Sequence, residues 1–349
     1  MKMLHRWTYR SNRAIALSLL TAIVGFAVVI TVLIVFEPRS PVSTPTASPS
    51  PTPTSTSAPG TPYVKPGTQG YRGAVSALTV YSEANGKVPA GSACSWASQG
   101  ILSCPDDNLT LDHSYIQGSL NWRGCRTLSI SNSVIEWQPA DRNWFSVDAS
   151  CESPLTGALI TVTRSTFKTA GAAPYTGMSD VGAINEYANL IPEHISNSLF
   201  RDFPQGLDPA VYSVIKDNEI YVSDGLKCWQ DAAKGIIGTC HADGLYNQGS
   251  PNTIYKGNYI DAGANSTTSA LFYQGDSPII GNRVIGNYIA GGAYTLYNQN
   301  ATGLDVENNT FGGYRYGNCS LRSGASWGKW TGNVKPDGSA VVPNGDGCN

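Results

Sequence analysis

The sequence predicts an all-β solenoid, a parallel β-helix of about eight coils in which each coil stacks on the next. Three observations indicate this fold class. Glycine and tyrosine are abundant, at 37 and 18 residues, and only 14% of residues are charged, a balance that favours turns and strands. A short template recurs about every 28 residues on average. Apolar residues alternate with a period of two inside each copy, whereas a helical repeat would show a period of roughly 3.6.

The recurring template reads apolar, any residue, apolar, two residues, Asn or Ser, any residue, apolar. The Asn or Ser position is expected at the inner corner of each coil. There, stacked side chains hydrogen-bond along the axis and satisfy buried backbone groups. The full and partial copies centre on Ser114, Ser133, Ser165, Ser198, Asn218, Asn258, Asn287 and Asn309.

A second strand precedes the template in several units, and we therefore expect two registered strands per coil. The four segments have similar patterns and lie at similar distances from the Asn or Ser that follows. One coil cannot bury its own apolar face, so stacking of these strands is needed to create a continuous core. The segments are residues 183–187, 244–248, 270–274 and 295–299.

Alignment of these segments predicts outward columns of aromatic and amide side chains. If Leu245, Leu271 and Leu296 point inward, the alternate positions face out and repeat about every 4.8 Å from coil to coil. Such columns are a candidate sugar-binding platform, because pyranose faces pack on rings and hydroxyls pair with amides. The alternative is ring stacking that covers one face beneath a loop. The candidate binding residues are Tyr246, Phe272, Tyr297, Gln248, Gln274 and Gln299.

The amino-terminal part predicts a membrane anchor. Residues 1–13 are basic, and residues 14–36 form an unbroken apolar run. At about 1.5 Å per residue this run spans the roughly 30 Å hydrocarbon layer of a bilayer. We expect a single-pass signal anchor in the plasma membrane, with a cytoplasmic amino terminus and an extracellular domain. A cleaved signal peptide is the alternative, although its apolar core is usually shorter.

The rest of the chain divides into a linker and one folded domain. Residues 37–68 are rich in Pro, Ser and Thr, with little to bury, and predict a disordered, extended stalk. Residues 69–349 are expected to form the β-helix domain. Its amino-terminal cap is placed at about 69–105 and its carboxy-terminal cap at about 314–349.

Eight cysteines follow the apolar run, and an even number there predicts disulfides in an oxidising compartment. No CxxC pair is present, so no structural zinc site is expected. Sequential pairing closes loops of about 10 to 30 residues and stabilises the fold by about 3 kcal/mol for each bond. The expected pairs are Cys94–Cys104, Cys125–Cys151, Cys228–Cys240 and Cys319–Cys348.

Over about residues 105–313, the coils resemble the pectate-lyase-like superfamily of right-handed parallel β-helix proteins. The resemblance implies a right-handed β-helix solenoid and a polysaccharide ligand. It leaves the chemistry open, because the superfamily includes lyases, hydrolases, epimerases and non-catalytic adhesins. The sequence departs from the known catalytic motifs. Asp112-His113-Ser114 is similar to the Asp-His strand motif of pectate lyases, but the accompanying arginine signature and the polygalacturonase motifs are missing.

A polar cluster near the aligned strands supplies the candidate catalytic residues. Proton abstraction beside a uronic carboxylate needs a base, with a cation to stabilise the charge that develops. Hydrolysis of a glycoside needs two carboxylates. For Asp243 the alternative is a structural Asp-Gly turn at a coil corner. The candidates are His241, Asp243, Asp180, Asp208, Lys227 and Arg201.

These observations predict a membrane-tethered extracellular carbohydrate-active protein, either a polysaccharide lyase or a glycoside hydrolase. The alternative is a non-catalytic surface module that binds glycan or acts as an adhesin. No metal site is assigned from the sequence, although a lyase would be expected to use calcium. A net charge of −2 without a basic stripe argues against a nucleic-acid partner, and no nucleotide-binding loop is present.

Overall fold

Parallel strands make up most of the computed structural model, which describes residues 63–137, 145–149, 151, 153–170, 182–186, 190–222, 227–231, 236–239, 243–263, 268–275, 279–343, 345 and 348. Helix in this part of the chain is limited to two short 3₁₀ turns, Val75–Ala77 and Glu83–Asn85. The predicted all-β class is confirmed. No helix in the described residues is long and apolar enough to cross a membrane, and the predicted anchor lies outside them.

The strands follow one another closely along the chain, most of them three to five residues long. In chain order they are β1 (Thr79–Ser82), β2 (Ser95–Ala97), β3 (Ile101–Cys104), β4 (Asn108–Asp112), β5 (Ser114–Gln117), β6 (Ser119–Trp122), β7 (Thr127–Ser131), β8 (Val134–Trp137), β9 (Phe145–Ala149), β10 (Leu159–Thr163), β11 (Thr166–Thr169), β12 (Gly182–Glu186), β13 (Glu193–Ser196), β14 (Leu199–Phe203), β15 (Gln205–Asp208), β16 (Val214–Lys216), β17 (Glu219–Val222), β18 (Lys227–Asp231), β19 (Ile236–Thr239), β20 (Asp243–Gln248), β21 (Ile254–Lys256), β22 (Tyr259–Asp261), β23 (Ser269–Gln274), β24 (Ile279–Ile280), β25 (Arg283–Ile285), β26 (Tyr288–Ala290), β27 (Tyr294–Asn298), β28 (Ala301–Thr302), β29 (Leu304–Glu307), β30 (Thr310–Gly312), β31 (Gly317–Leu321) and β32 (Trp327–Thr331).

Three large sheets are formed by strands that recur in a fixed rotation along the chain. Sheet A has the order β1-β5-β8-β11-β14-β17-β22-β26-β30, and sheet C runs β4-β7-β10-β13-β16-β21-β25-β29-β32. Sheet B has the order β2-β3-β6-β9-β12-β15-β20-β23-β27-β31. Pairing in them is parallel apart from the β2–β3 hairpin at one edge of sheet B. Stacked parallel sheets of this kind are consistent with a β-helix-like solenoid.

Each regular coil contains three strands, one in each sheet, and not the two that the sequence predicted. The template accounts for two of these three strands, because the chain turns sharply between the second and third apolar positions of the template. The residue before each Asn or Ser anchor has a left-handed backbone, as at His113 (φ 49°), Asn132 (φ 47°) and Asn308 (φ 55°). Glycine fills this position at Gly257 and Gly286, where it adopts positive φ without steric cost. The turn separates sheet C from sheet A in every coil.

The Asn and Ser anchors form a buried ladder at this corner, as the sequence predicted. The Asn258 side chain accepts the backbone N–H of Asn218 at 3.0 Å through Oδ1. Its Nδ2 donates to the carbonyl of Ile215 at 2.9 Å and to Oδ1 of Asn287 at 2.9 Å. Serine hydroxyls continue the ladder toward the amino-terminal coils, where Ser133 Oγ accepts the N–H of Ser114 at 3.0 Å. The ladder therefore satisfies buried polar groups between coils.

A segment that leads into the first coil is fastened along the outside of sheet A. The N–H of Val64 donates to the carbonyl of Gly257 at the corner before β22. The carboxylate of buried Glu219 in β17 then accepts three consecutive backbone N–H groups at 2.5–2.8 Å. Further along, the segment bonds to the corner before β14 and to β11. The N–H donors to Glu219 belong to Gly67, Thr68 and Gln69.

Three of the predicted disulfides are confirmed: Cys94–Cys104, Cys125–Cys151 and Cys319–Cys348. The last of these fixes the carboxy-terminal tail to β31. The fourth predicted pair, Cys228–Cys240, lies outside the described side chains. Cys228 belongs to β18, which forms an antiparallel hairpin with β19 between β17 and β20.

Replacing Asn258 by Ala is expected to lower the free energy of unfolding by about 2–6 kcal/mol. The substitution leaves the N–H of Asn218 and the carbonyl of Ile215 buried without these partners, at about 1–3 kcal/mol each. Urea denaturation of the full-length chain measures the change. Lys256→Ala is the control, because Lys256 ends β21, two residues before Asn258, with an exposed side chain and should change stability by less than about 0.5 kcal/mol. Equal stability of the two variants would contradict a structural role for the ladder.

Candidate functional site

The predicted aromatic column is in register on sheet B. Tyr246 of β20 pairs with Phe272 of β23, and Phe272 pairs with Tyr297 of β27. The predicted inward column is in register as well, with Leu245, Leu271 and Leu296 fully buried. The alignment made from sequence therefore gives the correct neighbours, although their role in binding stays a prediction.

The rings of this column pack on one another along the axis. Tyr246 and Phe272 stack with ring centroids 5.4 Å apart, and Phe272 and Tyr297 stack at 5.1 Å. Phe272 is only 2% exposed, whereas Tyr297 is partly exposed. Tyr246 is also buried, at 9% exposed, so the predicted outward aromatic column is accessible to a sugar only at its Tyr297 end.

The predicted amide column lies beside the aromatic one and is more open. Gln248 and Gln274 pair in register and both have exposed side chains. Gln299 follows β27 directly and is partly exposed, with its N–H bonded to the carbonyl of Tyr273. The hydroxyl of Tyr246 donates to Oε1 of Gln274 at 3.2 Å. The amides therefore give sheet B a hydrogen-bonding border next to its aromatic column.

Four polar residues extend the aromatic column toward the amino-terminal coils. Alignment of segments 183–187 and 244–248 already places Asn185 opposite Tyr246, whereas Asn121 and Asp148 were not found from the sequence. Asn121 of β6 pairs with Asp148 of β9, which pairs with Asn185 of β12. Asn185 pairs with Asp208 of β15, and Leu207 pairs with Leu245, so Asp208 is the neighbour of Tyr246 in this column. The column thus changes from amide and carboxylate to aromatic between β15 and β20.

Asp243 has a buried position at the start of β20, not an exposed one. Its side chain is fully buried, and its Oδ1 accepts both the N–H and the hydroxyl of Ser269 at 3.0 Å. The following Gly244 lies within the strand and does not form a turn. A Cβ there would lie 2.5 Å from Cγ2 of Ile260 and 2.6 Å from the carbonyl oxygen of Ala270, so close packing between coils requires glycine. These contacts favour a structural role for Asp243.

The other catalytic candidates do not come together within the described residues. Arg201 is exposed on sheet A, where its Nε pairs with Asp202 at 2.9 Å, and it is therefore on a different sheet from Asp208 and Asp243. Lys227 begins β18, and its side chain is not described. His241 and Asp180 lie outside the described residues.

The Asp-His pair near the first coils forms a local corner network. Asp112 accepts hydrogen bonds from Ser131 at 2.6 Å and Asn132 at 2.8 Å, and it pairs with Nδ1 of His113 at 2.7 Å. The bonds from Ser131 and Asn132 lower the pKa of Asp112 to about 2. Across the described residues, no group of three or more His, Cys, Asp or Glu side chains is arranged to hold a metal ion.

An exposed cluster at the carboxy-terminal end of sheet B was not found from the sequence. Tyr294, in β27, lies 5.6 Å from Tyr297 and 6.1 Å from Tyr316, measured between ring centroids. Arg322 donates to the hydroxyl of Tyr297 at 2.6 Å through Nε, and the Arg315 guanidinium lies 5.1 Å from the Tyr316 ring. We call these five residues the terminal tyrosine patch. The alternation Tyr-Arg-Tyr at residues 314–316 is the sequence signal that marks it.

Comparison with known proteins identified no relative of this chain. No family model, no curated protein and no solved structure matches the chain. The function therefore has to be inferred from the geometry of sheet B.

Replacing Asp243 by Ala is expected to lower the free energy of unfolding by about 1–3 kcal/mol, because the N–H and hydroxyl of Ser269 lose a buried acceptor. Asp243→Asn keeps an oxygen at this position and should destabilise less. Thermal and urea unfolding of the full-length variants measure both effects. Wild-type stability of Asp243→Ala would show that these hydrogen bonds are not important for the fold.

Proposed function

We propose that this chain is a membrane-tethered, extracellular right-handed β-helix, akin to the pectate-lyase-like superfamily, that binds an extended glycan along sheet B. The stacked parallel sheets and the repeating coil template support the relationship. The apolar run at residues 14–36, followed by the Pro/Ser/Thr-rich linker, supports the tether. Three disulfides in the folded part support an oxidising, extracellular setting.

The observation that carries the proposal is the continuous column on sheet B. Seven successive strands contribute one residue each, from Asn121 to Tyr297. Asn121, Asp148 and Tyr297 are partly exposed, whereas the four members between Asp148 and Tyr297 are buried. At about 4.8 Å per strand, the column extends for roughly 29 Å along the solenoid. A row of this length, with amides, carboxylates and rings, matches a linear polymer better than a small ligand, which is normally enclosed in a concave site.

Binding is favoured over catalysis by the surroundings of the catalytic candidates. Asp243 is engaged with Ser269 inside the domain, and Arg201 lies on another sheet. By contrast, the side chains of Gln248 and Gln274 are exposed at the surface of sheet B, and Tyr297 is partly exposed. The non-catalytic glycan-binding module is therefore the function that the described residues support best.

Tyr297→Ala is expected to weaken polysaccharide binding by about tenfold, equivalent to about 1.4 kcal/mol, because a partly exposed ring is lost. Gln274→Ala should have a smaller effect, since one neutral hydrogen bond contributes about 0.5–1.5 kcal/mol. The measurement uses the full-length chain in detergent, first on an array of plant, bacterial and animal polysaccharides and then by calorimetry with the tightest ligand.

The control is Tyr212→Asn, which removes an exposed tyrosine that lies in the turn between β15 and β16 and is not a member of the column. Tyr212 has φ 58°, a conformation that asparagine tolerates. Its affinity should equal that of the wild type. Failure of the wild-type chain to bind any polysaccharide on the array would overturn the proposed function.

Glycoside hydrolysis is a second candidate, favoured by one observation. Asp148 and Asp208 occupy the same column with Asn185 between them, so their backbone positions lie about 10 Å apart along the axis. Carboxyl groups of inverting glycosidases are separated by about 6.5–9.5 Å, which leaves room for a water molecule. If the side chains of Asp148 and Asp208 lean toward each other, the distance between their carboxyl groups would fall within this range.

If the pair is catalytic, Asp148→Asn and Asp208→Asn should each lower the release of reducing ends by at least a hundredfold, because each removes an acid or a base. The full-length chain is assayed against the bound polysaccharide, with and without calcium, and ultraviolet absorbance monitors the unsaturated products of a lyase. Asp217→Asn, at a corner between sheets C and A, is the matched control. Binding without any product, in the wild type and all variants, would exclude the second candidate.

A further inference from the structure

The terminal tyrosine patch contains two arginines with open guanidinium groups. Arg315 and Arg322 flank β31 and are both exposed. Each lies near a tyrosine ring, with the Arg322 guanidinium 5.7 Å from the centre of the Tyr297 ring. Among the residues that the structure describes, neither has a carboxylate within ion-pair distance. Both charges are therefore available to a ligand.

Several other cations on the solenoid form ion pairs with carboxylates. Arg283 and Lys329 both pair with the nearly buried carboxylate of Glu307 on sheet C. On sheet A, Lys168 pairs with Glu136 at 2.9 Å. These ion pairs neutralise positive charge within the fold. By contrast, the two arginines of the patch lie beside tyrosine rings and not beside acidic side chains.

The geometry of Arg322 suits recognition of an anionic group. Its Nε is held by the hydroxyl of Tyr297, which fixes the plane of the guanidinium. The two terminal nitrogens have no partner in the described part of the chain, so they can donate a parallel pair of hydrogen bonds to one carboxylate or sulfate. The ring of Tyr316 is also open, with the side chain 57% exposed. It lies beside Arg315 and supplies a face on which a sugar can pack.

We propose that the terminal tyrosine patch is a subsite for sugars that carry carboxylate or sulfate groups. The inference rests on the proposed glycan-binding function and assigns a charge class to its ligand. Three tyrosine rings separate the two guanidiniums, so the site fits a polymer with repeated negative charges and not a single anion. The chain has a net charge of −2, which gives no general attraction for polyanions. The proposal therefore assigns the preference to this patch.

The test compares polymers that share a backbone and differ in charge. Affinities of the full-length chain are measured for dextran sulfate against dextran, and for polygalacturonate against its methyl ester. We expect at least tenfold tighter binding to the charged member of one or both pairs. The pair that shows the preference identifies sulfate or carboxylate as the recognised group.

Arg315→Gln and Arg322→Gln should each weaken binding of the charged polymer by about tenfold. Each should also reduce the slope of log affinity against log salt by about one. Binding of the uncharged polymer should change little. Arg126→Gln is the matched control, because it removes the same charge from an exposed site near the amino-terminal coils. It should leave all affinities unchanged.

The outcomes separate this inference from the proposed function. Equal affinity for charged and neutral polymers overturns the anionic subsite and leaves glycan binding intact. Absence of binding to every polymer overturns both. Equally tight binding of single-stranded DNA, lost in the same two arginine variants, overturns the assignment to sugars, because it identifies a site for polyanions in general.

Discussion

The fold depends on satisfying the buried polar backbone at the corner between sheets C and A. The chain turns there through a left-handed residue in each regular coil, and the next residue is inside the domain. A corner of this kind leaves N–H and carbonyl groups that cannot reach water. The Asn and Ser ladder supplies their partners from the neighbouring coil, as Asn258 does for Asn218 and Ile215. The buried polar groups at the corner of each coil therefore find their hydrogen-bond partners only in the neighbouring coil.

This dependence between coils also fixes the register of sheet B. A slip of one residue would remove each ladder side chain from its corner and turn the leucines of the core outward. Because the register is fixed, residues far apart in sequence become neighbours. Tyr246, Phe272 and Tyr297 stack in consecutive strands, and Asp148, Asn185 and Asp208 continue their column. The candidate binding surface is thus a consequence of the same constraint that holds the coils together.

Much of the fold was predictable because it depends on local patterns. Period-two alternation and the recurring Asn or Ser were sufficient to align Leu245 with Leu271 and Leu296. The third strand of each coil was missed because its turn uses His113, Asn132 and other residues that are not glycine. Asn, Asp and His adopt a left-handed conformation more often than most residues do, but it is uncommon even for them, so the local signal is weak.

The candidate site was less predictable than the fold. Asp243 precedes a glycine, a pattern that fits either a catalytic residue or a turn, yet the glycine is required by close contacts with Ile260 in β22 and Ala270 in β23. Asp148 was not found because its strand was not among the aligned segments, and Asn185 was aligned with Tyr246 but was not a candidate for binding. The terminal tyrosine patch joins residues before β31, in β27 and after β31, and only the folded chain brings them together.

The attachment of residues 64–71 to sheet A determines which bonds carry a mechanical force that is applied to the chain ahead of the domain. A pull on the chain ahead of Tyr63 does not reach the first coil directly, because Glu219 holds the segment beside β17 and other bonds hold it at β14 and β11. The tension is therefore shared among bonds along the side of several coils. Unzipping from the amino-terminal end would begin only after this side attachment had torn away.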